Sequence, residues 1–425
     1  MTTFSKEGFP STILKTTAPA QIFFIFSIWY AVLVDLPFAL ERILIQQWRV
    51  KKILKPFEAI YDFVFGPFAA FLYELNTSYQ IPWFKLGKDI LFLCSLFFLF
   101  LCAVRKDWRF PKFNQSIVTI TYFFLLFLIP LLAFVSWLSN GFWTALAGLR
   151  SHLALLALFL PFYLDERDLK QIWTWITPLF LIQFVFVLVQ TGFYRTVGTF
   201  RNPNTFGLFL VVYLLPLFFF DISPRYRVFA WGTSAFMLTR SKSRMAIILG
   251  MIVFGIYLWS WVRTTRWRYV VLGLLVVSLP LIPIALEKLT GRQDTIANFF
   301  QYRVKSVWNY LTSNPPLRVV FGEGLGRGTK LLRILEPITM IPPDWGFFDN
   351  QIGSLLVSGG LLLVLVTLAF VVSPLIIARR GYFSLALTAF TLAAVWAIPL
   401  WEAWPTNLLI MLLYGYFLRS HVSYQ

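Results

Sequence analysis

Arginines that stand beside hydroxyl and amide side chains at the entrance of an apolar run can grip phosphate, because the planar guanidinium matches phosphate oxygens bidentately. The chain has two such stretches. In Arg195-Thr-Val-Gly-Thr-Phe-Arg201-Asn202-Pro203-Asn204 the Asn-Pro-Asn sequence favours a turn, and Thr205 is the expected cap of a helix starting near Phe206. Such a helix start offers unpaired N–H groups to an anion. Thr239-Arg240-Ser241-Lys242-Ser243-Arg244 repeats the pattern before the next apolar run. A plain connection between helices accounts for either stretch taken alone.

Three further groups lie later in the chain. Arg303-Val-Lys-Ser-Val-Trp308-Asn-Tyr310 is expected to form a short helix with Arg303, Val307 and Tyr310 on one face, broken by Asn314-Pro315-Pro316. Phe321-Gly-Glu323-Gly-Leu-Gly326-Arg-Gly328 lacks the Gly-Lys-Ser/Thr ending of a phosphate loop. A close crossing of the backbone past another segment or a glycan is expected there instead. Asp344 and Asp349 bracket an aromatic stretch directly ahead of an apolar run. Asp349 is the first candidate for a general base toward a sugar hydroxyl, with Glu323 and Asp344 as alternatives. Capping of the following helix is the competing explanation for Asp349.

The elements that must hold these residues are membrane helices. The 425 residues are 58% hydrophobic and 13% charged, where soluble domains carry about 25% charge. Apolar stretches of about 20 residues, the length needed to cross ~30 Å of hydrocarbon, recur at 20–40, 57–73, 90–104, 116–138, 144–163, 171–192, 206–220, 228–238, 245–262, 269–286, 350–372, 383–400 and 404–418. The first two suit interfacial helices as well as spans, because Asp35 and the basic run Arg49-Val-Lys-Lys-Ile-Leu-Lys55 accompany them. The expected fold is therefore an all-α polytopic transmembrane bundle of about 12 spans. It divides into an N-terminal region (1–85), a bundle (86–286), a large extracytoplasmic loop with short helices (287–349) and C-terminal helices (350–425). No signal peptide is expected at the amino terminus.

Basic loops set the orientation. Arg105 to Lys112, Arg263 to Arg268 and Arg379-Arg380 are expected in the cytoplasm. Alternation then sends 193–205, 239–244 and 287–349 to the outer face. The net charge of +18 is explained by such loops rather than by nucleic acid, since there is no basic soluble domain to hold it. Two cysteines and two histidines offer neither a disulfide framework nor a zinc cluster.

Positive charge should be scarce outside, yet Arg195, Arg201, Arg240, Lys242, Arg244 and eight loop cations (Lys288, Arg292, Arg303, Lys305, Arg318, Arg327, Lys330, Arg333) fall there. Arg150 sits inside a span, where a charge costs at least ~2.5–3.5 kcal/mol unless it meets a wet cavity or a partner. The pattern points to an outer cavity for a polyanion; the competing explanation is a topology error with lipid snorkelling.

Taken together, the chain resembles the O-antigen ligase/polymerase superfamily of bacterial membrane glycosyltransferases over roughly 140–380. The pieces are Arg195-Thr-Val-Gly-Thr-Phe-Arg201-Asn202-Pro203-Asn204, Ser243-Arg244, Arg303 with Trp308 and Phe321-Gly-Glu323-Gly-Leu-Gly326, and Asp349-Asn350 with Leu355 and Gly359. Arg150 also falls where members often have an arginine. The resemblance implies a multi-pass protein of the bacterial inner membrane with its active site facing the periplasm. It implies metal-independent, inverting transfer of a glycan from undecaprenyl pyrophosphate, with no cofactor. A chain-length regulator and a flippase are implied as partners.

Ligases of this family carry His where this chain has Asp349, which favours a polymerase of O-antigen, capsule or exopolysaccharide repeat units over an O-antigen ligase acting on lipid A-core. On this reading Arg244 and Arg303, with Asp349, are catalytic. Arg195, Arg201, Arg150, Asn202, Asn204, Ser243, Trp308 and Glu323 bind pyrophosphate or glycan. A flippase or transporter of lipid-linked glycans would also need a cationic cavity, although the chain lacks the internally repeated halves common in carriers. A non-catalytic subunit that docks a synthase is the remaining alternative.

Overall fold

The structure, a computed structural model, describes residues 12–40, 42–43, 82–104, 116–164, 166–190, 195–200, 202–263, 287–288, 290, 296–327, 350–377, 381–397, 400 and 403–419. Among them every regular element is a helix. The first three are α1 (Thr12–Leu33), α2 (Pro82–Val104) and α3 (Ser116–Asn140). The next, α4 (Phe142–His152), continues as a 3-10 stretch, Leu153–Phe159, and a last turn, Leu160–Tyr163. Then come α5 (Glu166–Val189), α6 (Pro203–Leu214), α7 (Pro224–Ser241) and α8 (Arg244–Val262). After these follow α9 (Ile296–Ser313), α10 (Pro316–Phe321), α11 (Gln351–Ile377), α12 (Tyr382–Ala397) and α13 (Thr406–Arg419).

Among the described residues 6 helices are long and apolar enough to cross a membrane, and Pro203–Phe218 and Tyr382–Trp396 are shorter apolar helices. The weakly marked first stretch is one of the 6, as Ala18–Leu40. The expected stretches at 57–73 and 269–286 lie outside the described residues.

Local chemistry sets the helix starts. Glu166 and Asp168 place negative charge in the first turn of α5, where the backbone dipole favours it. Ser223 caps α7, accepting the Tyr226 N–H, and Pro224 fills the first position, where a missing N–H costs nothing. Lys242 ends α7 in the left-handed region (φ 49°), which frees the chain to turn at once into α8.

Packing separates core from lipid-facing helices. In α13 every residue from Thr406 to Leu418 except Tyr416 is buried, and α6 is buried from Phe206 to Leu214. Both are apolar all round, as a central helix must be. α13 lies against the 3-10 stretch and α6, while α8 and α11 pack on α12. On the flank α1 runs along α2, tied by Ser95 Oγ to the Ala20 carbonyl (2.7 Å) and Ser27 Oγ to the Lys88 carbonyl (2.9 Å).

One long helix is broken. Gly359 (φ −144°, ψ 15°) and Gly360 (φ 66°, ψ −166°) interrupt α11, and the segment from Val320 to Glu323 crosses the gap. The carbonyl of Val357, two residues before the break, accepts the Glu323 N–H at 2.7 Å. A broken membrane helix is tolerated where neighbouring protein re-satisfies its backbone in this way.

Candidate functional site

The loop 195–200 is a turn folded back into the bundle and held by two glutamines of α5 and its end. Gln190 accepts the N–H groups of Val197 (3.0 Å) and Gly198 (3.1 Å) on Oε1 and donates from Nε2 to the Gly198 carbonyl (2.8 Å). Gln183 accepts the Thr199 N–H and donates to the Thr199 hydroxyl, both at 2.8 Å. That hydroxyl in turn donates to the Val32 carbonyl at 2.8 Å. Buried backbone must find partners, and two amide side chains supply them here. Gly198 has φ 58°, and a Cβ there would run into Gln183 Oε1.

This docking brings two separated stretches to one end of the bundle. The Thr196 N–H donates to the Arg240 carbonyl (3.1 Å), and Arg195 Nε donates to the Ser241 carbonyl (3.3 Å). Asn202 caps α6, its Oδ1 accepting the Asn204 N–H at 2.8 Å, with Pro203 in the first helical position. The helix therefore starts three residues earlier than expected. The cap is Asn202 and not Thr205, because proline's fixed φ suits the first turn. Asn204 Oδ1 accepts the Ser243 hydroxyl (2.7 Å), and Ser243 Oγ accepts the Ala246 N–H as the cap of α8. Ser243 is fully buried, so its hydroxyl is committed to joining two helix starts. Arg244 follows, with Nε donating to Thr290 Oγ1 at 3.1 Å.

Arg150 stands elsewhere. Its Nε pairs with Asp89 Oδ2 of α2 at 2.6 Å, 61 residues away in sequence, with side-chain exposures of 21% and 7%. The intramembrane arginine thus meets a partner, but a carboxylate on α2 rather than the other arginines.

Glu323 belongs to a third group. The glycine run passes α4 and α11 at backbone contact and α3 through side chains: a Cβ on Gly148 would stand 2.6 Å from Gly326 N, and one on Gly322 would stand 2.6 Å from Gly359 N. Ser136 Oγ donates to the Leu325 carbonyl (2.9 Å) and Asn140 Nδ2 to the Glu323 carbonyl (2.7 Å). Arg327 grips Asn140 Oδ1 through Nε (3.1 Å) and Nη2 (2.9 Å). The Tyr310 hydroxyl donates to Glu323 Oε1 at 3.3 Å. Burial lifts the Glu323 carboxyl above its ordinary value, opposed by Arg318, the Tyr310 hydrogen bond and Arg327.

The expected short helix around 303–310 extends over Ile296–Ser313, and Asn314 Nδ2 closes it on the Tyr310 carbonyl at 2.9 Å. Its buried face carries Tyr310, while Trp308 is 64% exposed. Arg201, Asp344 and Asp349 lie outside the described residues, as does the Arg303 side chain. At the start of α11 the capping acceptor is Asn350, whose Oδ1 takes the Gly353 N–H at 2.6 Å. Among the described residues no group of three or more His, Cys, Asp and Glu gathers as for a metal.

Asp89, Asn140, Gln183 and Gln190 are the positioning residues that sequence reasoning did not single out. The available signal was their polarity inside or at the edge of apolar runs. No family model, curated protein or solved structure matches the chain.

Proposed function

We propose that the chain is a membrane polymerase of polysaccharide repeat units, of the O-antigen ligase/polymerase kind. It transfers a glycan from undecaprenyl pyrophosphate to an acceptor sugar hydroxyl at the outer face of the inner membrane. The observation that supports this most is the joining of the 195–200 turn and the start of α6 to the end of α7 and the start of α8 through Thr196–Arg240 and Asn204–Ser243, which puts Arg195 and Arg244 on one bundle end.

In the reaction the acceptor oxygen attacks the anomeric carbon as the bond to the pyrophosphate oxygen breaks. The acceptor proton passes to a carboxylate. Undecaprenyl pyrophosphate is already a good leaving group, so the protein mainly positions it and offsets its developing charge. Arg195, Arg244 and Arg303 carry that charge, with Arg201 as the second choice. Asp349 is the base in this reading, because Asn350 fills the capping role that otherwise accounts for a carboxylate there. Glu323 is the alternative base, half-buried and raised toward the range useful for proton transfer.

The test is incubation of purified full-length protein with lipid-linked repeat units and no nucleotide sugar. Chain growth supports the polymerase, transfer to lipid A-core alone supports a ligase, and bare translocation across vesicles supports a flippase.

A further inference from the structure

On the flank formed by α2, α3 and α4 lies a pocket of about 690 Å³, within the ~300–1,000 Å³ range of small-molecule sites. Its walls are almost wholly apolar. Leu93, Trp143, Leu146 and Leu149 line it and are also exposed, so it opens on the side of the bundle that faces lipid. Three polar side chains line it as well: Asp89, Arg150 and His152. By the ~1.5 Å rise per residue, Asp89 and Arg150 sit about 10–12 Å from the starts of their helices.

These three groups are incompletely satisfied. Asp89 gives Oδ2 to Arg150, while its Oδ1 is buried with no partner among the described residues. The Gly148 carbonyl can only accept: it takes the Ser151 hydroxyl at 2.8 Å and faces His152 Nδ1 at 2.9 Å, which assigns the ring proton to Nδ1, with Ser151 Oγ a further neighbour of that nitrogen at 2.9 Å. That leaves Nε2 as an acceptor, and it too is buried without a partner among the described residues. Arg150 makes its bond to Asp89 through Nε, which leaves the terminal nitrogens of its fork for another acceptor.

Charge complementarity narrows the occupant. A bare hydrocarbon chain would fill the walls but leave two buried acceptors unmet, a costly outcome. A pyrophosphate or other anionic head would meet Arg150 but also the Asp89 carboxylate, and the pair is neutral in sum. A zwitterion matches both members.

We propose that this pocket binds a zwitterionic phospholipid with a primary ammonium head, as in phosphatidylethanolamine. Its ammonium donates to Asp89 Oδ1 and His152 Nε2, its phosphate accepts from the Arg150 fork, and an acyl chain lies along Leu93, Leu146 and Leu149. This site is distinct from the glycan-transfer reading and does not depend on it. It also removes Arg150 from the arginines assigned to pyrophosphate.

The test is lipid retention by the purified full-length protein, read by native mass spectrometry and by thermal stabilisation as lipid is titrated in. Phosphatidylethanolamine should bind about tenfold or more tightly than phosphatidylcholine, whose quaternary nitrogen has no N–H to donate, and than phosphatidylglycerol. The paired substitution D89N/R150Q removes both charges without stranding either one, and should erase that preference. Leu146→Trp, which narrows the pocket without touching the ion pair, should lower retention of phosphatidylethanolamine. Equal retention of the three lipids, a preference for phosphatidylglycerol, or unchanged retention in both variants overturns the proposal.

Discussion

The Ser243 hydroxyl donates to Asn204 Oδ1 at 2.7 Å and so locks the start of α8 to the start of α6, 39 residues apart in sequence. The same oxygen accepts the Ala246 N–H, which makes one buried side chain both a helix cap and an interhelical tie. Ser243→Ala is expected to lower stability by about 1–3 kcal/mol, since it uncaps α8 and strands Asn204. Thermal unfolding in detergent of S243A, N204A and the double variant measures this. A coupling energy near zero between the two sites would show that the tie contributes nothing.

Gly198 and Gly326 are expected to resist even alanine. Gly198 is at φ 58° against Gln183, and Gly326 is at φ 104° against the Thr144 carbonyl. A methyl group at either site must displace buried polar atoms, so each variant should lose about 1–3 kcal/mol or more. Gly232 is the control: it lies inside α7 with nothing within 4 Å of a Cβ built there, and G232A should unfold at or somewhat above the wild type. Wild-type melting of G198A would mean that the 195–200 turn is not packed on Gln183.

Glu323 should leave a signature in the pH dependence of stability. Its carboxyl is held above the ordinary 4.5 by burial, with Arg318, Tyr310 and Arg327 pulling the other way. The folded state therefore binds this proton more tightly than the unfolded state. The contribution is fully present below pH 4.5 and is lost as pH rises through the folded value. Glu323→Gln should flatten that slope and match or exceed the wild type at neutral pH. A steeper fall in stability with rising pH in E323Q contradicts the assignment.

Arg244→Lys separates charge from geometry. Lysine keeps the positive charge but loses the planar fork and the Nε bond to Thr290. Chain growth on lipid-linked repeat units should fall about tenfold or more, while the amount of protein in the membrane stays the same. Undiminished chain growth by both R244K and R244A removes Arg244 from the pyrophosphate site.

Arg303→Ala asks the same question of the α9 arginine. Polymer should be lost with little change in melting temperature, because the variant leaves the Tyr310–Glu323 contact in place. A large drop in melting temperature alongside the loss would mark Arg303 as a packing residue.

Composition alone determines that this chain lives in a membrane, because no soluble core can absorb so much apolar sequence. The break at Asn314-Pro315-Pro316 and the close backbone crossing at the glycine run were also legible, since each depends on the steric limits of its own residues; the turn expected at 202–204 is instead the cap and first turn of α6. The cap at Asn202 was missed because Asn and Thr are both good caps, and proline's position decides between them only once the turn is built.

The Asp89–Arg150 pair and the Gln183 and Gln190 clasp joined residues that no local pattern connects. A buried charge or amide announces in sequence only that it needs a partner; which helix brings that partner is a property of packing. The short central helices α6 and α13 carry apolar residues on every side, so their sequence gives no face from which to infer a neighbour. Only the tertiary structure decided that Arg195 and Arg244 share one end of the bundle while Arg150 answers to a carboxylate on its flank. The physical reason is that hydropathy acts residue by residue, whereas satisfying a polar group in a dry interior requires another segment of the chain.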